Sequence, residues 1–152
     1  MSGSLDHSPA QVLAELLVDL GLATAVSSSG SWPAYVSVLP DSPDEAIAIT
    51  NTQGKHDGRS MTDGTVYEHY GYQVLARSLS DANVWGKVNA IAIAFDGVER
   101  VYVPLGSTTY RIQAISRLST PLFIGYDDAS KRRMYSLNGF VCMRQMTGTG
   151  SY

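Results

Sequence analysis

The sequence predicts an α+β fold: a mainly antiparallel or mixed β-sheet with two helices packed on it, in the order α-β-β-β-α-β-β-β. Two stretches, one near the N-terminus and one at mid-chain, repeat apolar residues at helical spacing. Several other segments are short and alternate apolar with polar residues, the pattern of strands with one buried face. Runs of strands separated by single helices favour an antiparallel sheet over repeated parallel crossover units.

The first helix opens at Ser8-Pro9-Ala10-Gln11. Ser8 can cap, Pro9 suits the first helical position, and Gln11 completes a capping box. Val12, Leu13, Leu16, Leu17 and Leu20 form its apolar stripe, and Gly21 is a natural C-terminal stop. Residues 27–31 read as a flexible connector. Residues 35–39 and 46–50 are short strands, joined by a turn through Pro40, Asp41, Ser42, Pro43 and Asp44. Residues 51–66 follow as a long loop, with Gly54, Gly58 and Gly64 free to take backbone angles that other residues resist. A loop of that length inside a compact domain is functional or mobile. Residues 69–79 then alternate, with Tyr70, Tyr72, Val74 and Ala76 on one side and His69, Gln73 and Arg77 on the other.

Asp81 caps a second helix that runs to about Asp96. Val84, Val88, Ile91 and Phe95 line one side of it, flanked by Trp85 and Ala92. Gly86, Asn89 and Ile93 make a small, nearly uncharged back face, either an inter-subunit contact or a helix sandwiched within its own domain. Residues 101–105 form a strand, Gly106-Ser107 a turn, and residues 109–119 a further alternating strand. In the last strand Asn138-Gly139 is a strong hairpin dipeptide. The alternation Tyr135, Leu137, Gly139, Val141, Met143 nevertheless runs straight through it, which favours one long strand with a local bulge over a hairpin with two very short arms.

A chain of 152 residues fits one domain spanning residues 1–152, with loose termini at 1–7 and 147–152. A domain of this size buries roughly 70% of the surface its unfolded chain exposes, so it needs no covalent or metal staple. The lone Cys142 and the scattered His7, His56 and His69 provide neither a disulfide framework nor a zinc site. No secretory signal is evident, and no apolar run approaches the roughly 20 residues that span a bilayer, so no membrane association is expected. The protein reads as soluble and cytosolic in origin. Net charge is −3, which argues against nucleic-acid affinity as the main activity. Only 16% of residues are charged, against roughly 25% in ordinary domains. That composition suits either surfaces covered by other subunits or a neutral-surfaced monomer.

Catalytic patterns are absent. No G-x-S-x-G elbow follows a strand. The glycine-bounded stretch from Gly54 to Ser60 lacks the order of a phosphate loop, and no helix pattern follows it. Asp41, Asp44 and Glu45 read as solvated turn-formers. No catalytic, metal-ligating or cofactor-binding residue is assigned, and no cofactor is expected. A small-molecule-binding or hydrolase domain is the competing class, and a deep pocket with convergent polar groups would favour it.

What remains are candidate contact surfaces. The first is the loop of Gly54, Lys55, His56, Asp57, Gly58, Arg59, Ser60 and Met61. The second is the helix face of Gly86, Asn89 and Ile93. The third is the charged turn of Asp127, Asp128, Lys131 and Arg132, read as a solvated loop with local ion pairs or as a contact with a neighbouring subunit or DNA phosphate.

The helix ending Leu20-Gly21-Leu22, followed by Trp32-Pro33-Ala34-Tyr35-Val36, resembles the start of small phage proteins of the minor capsid or tail terminator family. Leu39-Pro40-Asp41-Ser42-Pro43-Asp44, Gly58-Arg59-Ser60-Met61-Thr62-Asp63-Gly64 and Gly71-Tyr72-Gln73-Val74 are similar to family segments in the same order. The run Arg132-Arg133-Met134-Tyr135-Ser136-Leu137-Asn138, with Val141 and Arg144-Gln145, resembles the family's last strand. The likeness spans residues 12–145, and it is the order and spacing of the motifs that make it specific. It implies a tail terminator of a long-tailed, siphovirus-type phage, assembled in the host cytoplasm and carried in the virion. Such a protein forms a hexameric ring of its own copies on the last ring of tail tube protein. It stops tube growth, meets the head-side connector or stopper protein, and lets genomic DNA pass through its lumen without sequence-specific binding. The resemblance implies no catalysis and no cofactor. Another neck or tail component, such as a head completion or tube-type protein, is the alternative within the same class.

Overall fold

The computed structural model describes residues 5–28, 30–59, 66–126 and 131–146. Helix α1 spans Pro9–Asp19, and its capping box is formed as the sequence predicts: Ser8 Oγ accepts from the Gln11 amide while Gln11 Oε1 accepts from the Ser8 amide. Asn51 Oδ1 accepts from the Ala10 amide and satisfies a further donor of the first turn. At the other end the Gly21 and Leu22 amides return to the Val18 and Leu17 carbonyls, a closure that Gly21 permits at φ +77°.

Three strands follow: β1 (Ala34–Val36), β2 (Ala46–Arg59) and β3 (Val66–Ser78). Helix α2 spans Asp81–Asp96 and leads to β4 (Glu99–Leu105), β5 (Thr108–Arg117), β6 (Leu122–Tyr126) and β7 (Arg133–Met146). Ser80 rather than Asp81 caps α2, its hydroxyl accepting from the Asn83 amide. Asp81 lies in the first turn, where its charge complements the helix dipole.

The sheet order is β1-β2-β3-β7-β5-β4, with β6 also paired to β7. Only β1 and β2 run parallel; the other pairs are antiparallel. β7 bonds β3 along one edge and divides the other between β6, near its start, and β5, further along. Ile47, Ile49, Tyr72, Val74, Ile112, Leu137 and Val141 form one buried cluster with the inner faces of α1 and α2. The Tyr72 and Phe95 rings meet edge to face at 5.5 Å. Helix α1 touches both β2 and β4, which lie far apart in the strand order, so the sheet curls around it.

The α+β class stands, with three differences of detail. The strand β6 adds a ninth element to the predicted order. Its sequence, LFIGY, is a short apolar run without period-two alternation, and such a run does not declare itself as a strand. The loop expected over residues 51–66 is largely strand: β2 continues through Arg59 and β3 begins at Val66, while residues 60–65 lie outside the described residues. Register breaks between Thr52 and Lys55 and between His56 and Arg59 disrupt the alternation there. Gly54 serves close approach rather than freedom, since a Cβ on it would overlap the His69 carbonyl.

Asn138-Gly139 lies within one continuous strand, without the expected bulge; its register with β3 is unbroken from Met143 to Arg133. The shift occurs in β5 instead, between Ile112 and Ala114. Gly139 is required because a Cβ there would overlap the Ser116 carbonyl and press on the Tyr72 hydroxyl. Gly139→Val should therefore destabilise the protein by about 1–3 kcal/mol through overpacking. Asn138→Thr should stay within about 0.5 kcal/mol. Urea unfolding distinguishes this from a turn, in which both changes would be costly.

Burial, followed by the nearby Glu68 charge, pushes the Tyr70 hydroxyl up to about 12, and burial raises that of Tyr72 as well. Both groups are neutral in the folded state at pH values where unfolded tyrosines, with a value of 10.0, already ionise. The Tyr70 contribution is whole below pH 10.0 and is lost as the pH rises to about 12, while that of Tyr72 falls over a range that extends further. Unfolding free energy measured across that interval should fall, and fall less steeply in Tyr70→Phe.

Candidate assembly surfaces

The β2–β3 hairpin extends beyond the helices. Asn51 is the last residue of β2 seen bonding α1, and residues 51–55 are exposed. Within this arm Lys55 Nζ lies 5.7 Å from the centre of the Phe140 ring, so Lys55 lies over β7. Gly54, His56, Asp57, Gly58 and Arg59 belong to the β2 backbone. Ser60 and Met61 lie outside the described residues. The first candidate surface thus begins inside the sheet, where Lys55 pairs with His69 and His69 with Cys142 of β7, and runs on beside β3 towards residues 60–65, which lie outside the described residues.

On α2, Val84, Val88, Ile91, Ala92 and Phe95 are buried against the sheet, as the periodicity requires. A Cβ on Gly86 would meet nothing within 4 Å, Asn89 is half-buried, and Ile93 is 62% exposed. Of the two readings of this face, an inter-subunit contact or a helix sandwiched within its own domain, the exposure of Ile93 and the open space beside Gly86 do not fit the sandwiched one.

The charged turn divides. Asp127 and Asp128 lie outside the described residues, and Lys131 is exposed at φ +63°. Arg132 is only 6% exposed: its guanidinium donates to the Asp41 carbonyl and lies 3.7 Å from the Asp44 carboxylate. Arg77, also buried, donates to the Pro43 carbonyl at 2.6 Å and to the Asp44 carbonyl at 3.3 Å. Two arginines thus pin the proline turn from below, and the guanidinium of Arg132 is directed into the molecule. At the far end of β5, Arg117 binds both Asp96 carboxylate oxygens, at 3.0 and 2.7 Å, and ties that strand to the end of α2.

Sequence reasoning missed an exposed apolar surface among the described residues. Leu118, Leu122, Phe123, Ile124 and Tyr126 are all exposed, on β6 and the segment leading into it. Tyr135 joins Phe123 to Trp85, with ring centres 5.4 and 5.7 Å apart, and its hydroxyl donates to Asp81. The available signal was charge: residues 118–126 contain no Asp, Glu, Lys, Arg or His.

Among the described residues no group of three or more His, Cys, Asp and Glu side chains could hold a metal ion. Among the described residues, a shallow depression lined by Arg111, Gln113, Met143 and Arg144 leaves no room for even a water molecule, far short of a small-molecule site. No described helix is long and apolar enough to cross a membrane.

A sheet that carries apolar and neutral surfaces outward is the framework of a structural subunit that works in contact with other proteins. The sequence profile of the bacteriophage tail terminator proteins matches residues 16–139, and the chain belongs to that family of structural phage proteins. A chain in the solved virion of a native gene transfer agent particle is similar at 16% identity, over 88% of this chain and 91% of that one, with a TM-score of 0.48. No curated protein matches the chain.

Arg132→Ala should cost about 1.5–3 kcal/mol, the range for hydrogen bonds to charged groups, because it releases the turn at Asp41 and Asp44. Lys131→Ala should leave the urea midpoint unchanged. An Arg132→Ala protein of unaltered stability would contradict the inward role.

Proposed function

We propose that this tail protein is the terminator ring itself: a homohexamer that caps the last ring of tail tube protein, stops its growth and joins it to the head-side connector. Genomic DNA passes through the lumen without sequence-specific contact, and neither a cofactor nor a catalytic step takes part. Family membership over residues 16–139 is the observation that carries this reading. The low charge of the chain supports it, because few ions lose water when neighbours close around a subunit. So does the end of the β2–β3 pair, which runs on beyond the last described pairing of β3 with β7 at Glu68 and in this reading reaches an adjacent subunit or the tube. The outward face of Gly86, Asn89 and Ile93 and the exposed Lys131 are further candidate contacts in the same ring.

Shortening the arm tests this directly. His56 and Glu68, which face each other in the ladder, can be joined through an Asn-Gly turn, which suits a two-residue hairpin, in place of residues 57–67. The shortened protein should keep its urea midpoint within about 1 kcal/mol, yet fail to limit tube length when mixed with tube protein. A shortened protein that still capped tubes would contradict the arm's role.

A further inference from the structure

At the level of β1 the sheet is a row of five strands. Tyr35 pairs with Ala48, Ala48 with Leu75, Leu75 with Ser136, and Ser136 with Leu122. The row therefore begins at β1 and ends at β6, and β6 pairs with no described strand other than β7. Its Leu122, Phe123, Ile124 and Tyr126 are 58, 47, 43 and 52% exposed. An unpaired edge of that composition is a template for another strand. Natural edges are usually blunted by charge; here only Pro121 and a register break at Gly125 interrupt it. The described ends of the chain do not lie beside it. Asp6 bonds Gln145 at the other end of β7, nine residues or roughly 30 Å from Ser136.

The opposite end of the row carries a matching strip. The Ala34 amide donates to the Thr24 carbonyl, so residue 24 covers only the beginning of the outer edge of β1. Pro33 and Ser37 bond β2, and the alternation leaves the Val36 amide and carbonyl pointing away from the sheet. Val26 and Val38 are exposed beside them. Lys87 holds this strip to the body of the protein, donating to the Leu22 carbonyl at 2.8 Å with its ammonium 5.5 Å from the centre of the Trp32 ring.

Charge matches the two strips. Residues 20–40 contain no Asp, Glu, Lys, Arg or His, and neither do residues 118–126. Joining them desolvates no ion, a cost that buried charges otherwise impose. The other outer edge, β4, begins with Glu99 and Arg100. Direction matches as well. Following the pairings across the row, β6 runs opposite to β1, so β1 of a second copy in the same orientation meets β6 antiparallel.

We propose that the outer edge of β6 is completed by residues 30–38 of a neighbouring copy, so that the sheets of successive copies join head to tail. Such a contact uses two different patches of each subunit, and it generates a closed ring when the rotation between copies closes. The proposal deepens the ring reading above and rests on it.

The test uses the full chain in a Cys142→Ser background, with Leu122→Cys in one preparation and Val36→Cys in another, positions that the row places almost level. Mixed and oxidised, the two should give a disulfide-linked dimer, while either alone stays uncrosslinked. Crosslinking of the Leu122→Cys protein with itself, or no crosslink in the mixture while rings form, would overturn the proposal. Separately, Ile124→Lys should leave the unfolding midpoint unchanged and weaken self-association at least about tenfold. If Ile124→Lys assembles like the parent protein, the edge contact falls and the ring reading stands. If the parent protein itself stays monomeric, both fall.

Discussion

Strand β7 is the constraint on which the rest of the molecule depends. Its fourteen residues bond β3 on one side and both β5 and β6 on the other, so segments distant in sequence are brought into one sheet. The inner side of β7, with Leu137, Val141 and Met143, is part of the cluster that buries both helices. Gly139 is where the packing is tightest: the Ser116 carbonyl and the Tyr72 hydroxyl occupy the space a side chain would need. Tyr72 in turn meets Phe95 of α2 and donates to the Ser116 carbonyl at 3.3 Å. A substitution at Gly139 therefore disturbs β3, β5 and α2 together.

Much of this was legible in the sequence, where local chemistry and tertiary packing agree. The capping box at Ser8 and Gln11, the stop at Gly21 and the buried line Val84, Val88, Ile91 and Phe95 all follow from residue type and spacing. The glycines of β2 were misleading, because Gly54 looks the same whether it frees a loop or admits a neighbouring backbone. Asn138-Gly139 misleads in the opposite sense: a dipeptide suited to a tight turn is held extended by strands on both sides. Arg132 stood in a charged run and read as surface, but the carbonyls of a turn distant in sequence draw it inward. That pairing has no local signature. β6 was missed because its apolar residues are not divided between a buried and a wet face.

Two of the candidate surfaces share one physical property, the scarcity of charge where they face outward. The α2 face is small and neutral, and the β6 edge is wholly uncharged. For a monomer in water these are liabilities; for a subunit of a proposed ring they are contacts waiting to be covered. The charges that the structure does describe in contact are largely turned to internal work. Arg77 and Arg132 hold the turn before β2, Arg117 ties β5 to α2, and Lys87 fastens the segment before β1. These contacts stiffen the subunit around the edges it presents.

Electron microscopy of the purified protein at micromolar concentration tests the central claim most directly, because the proposed ring closes through contacts between its own copies and needs no tube. The account predicts closed six-fold rings with a central hole wide enough for duplex DNA. Monodisperse single subunits at that concentration, or open filaments without closure, would contradict it.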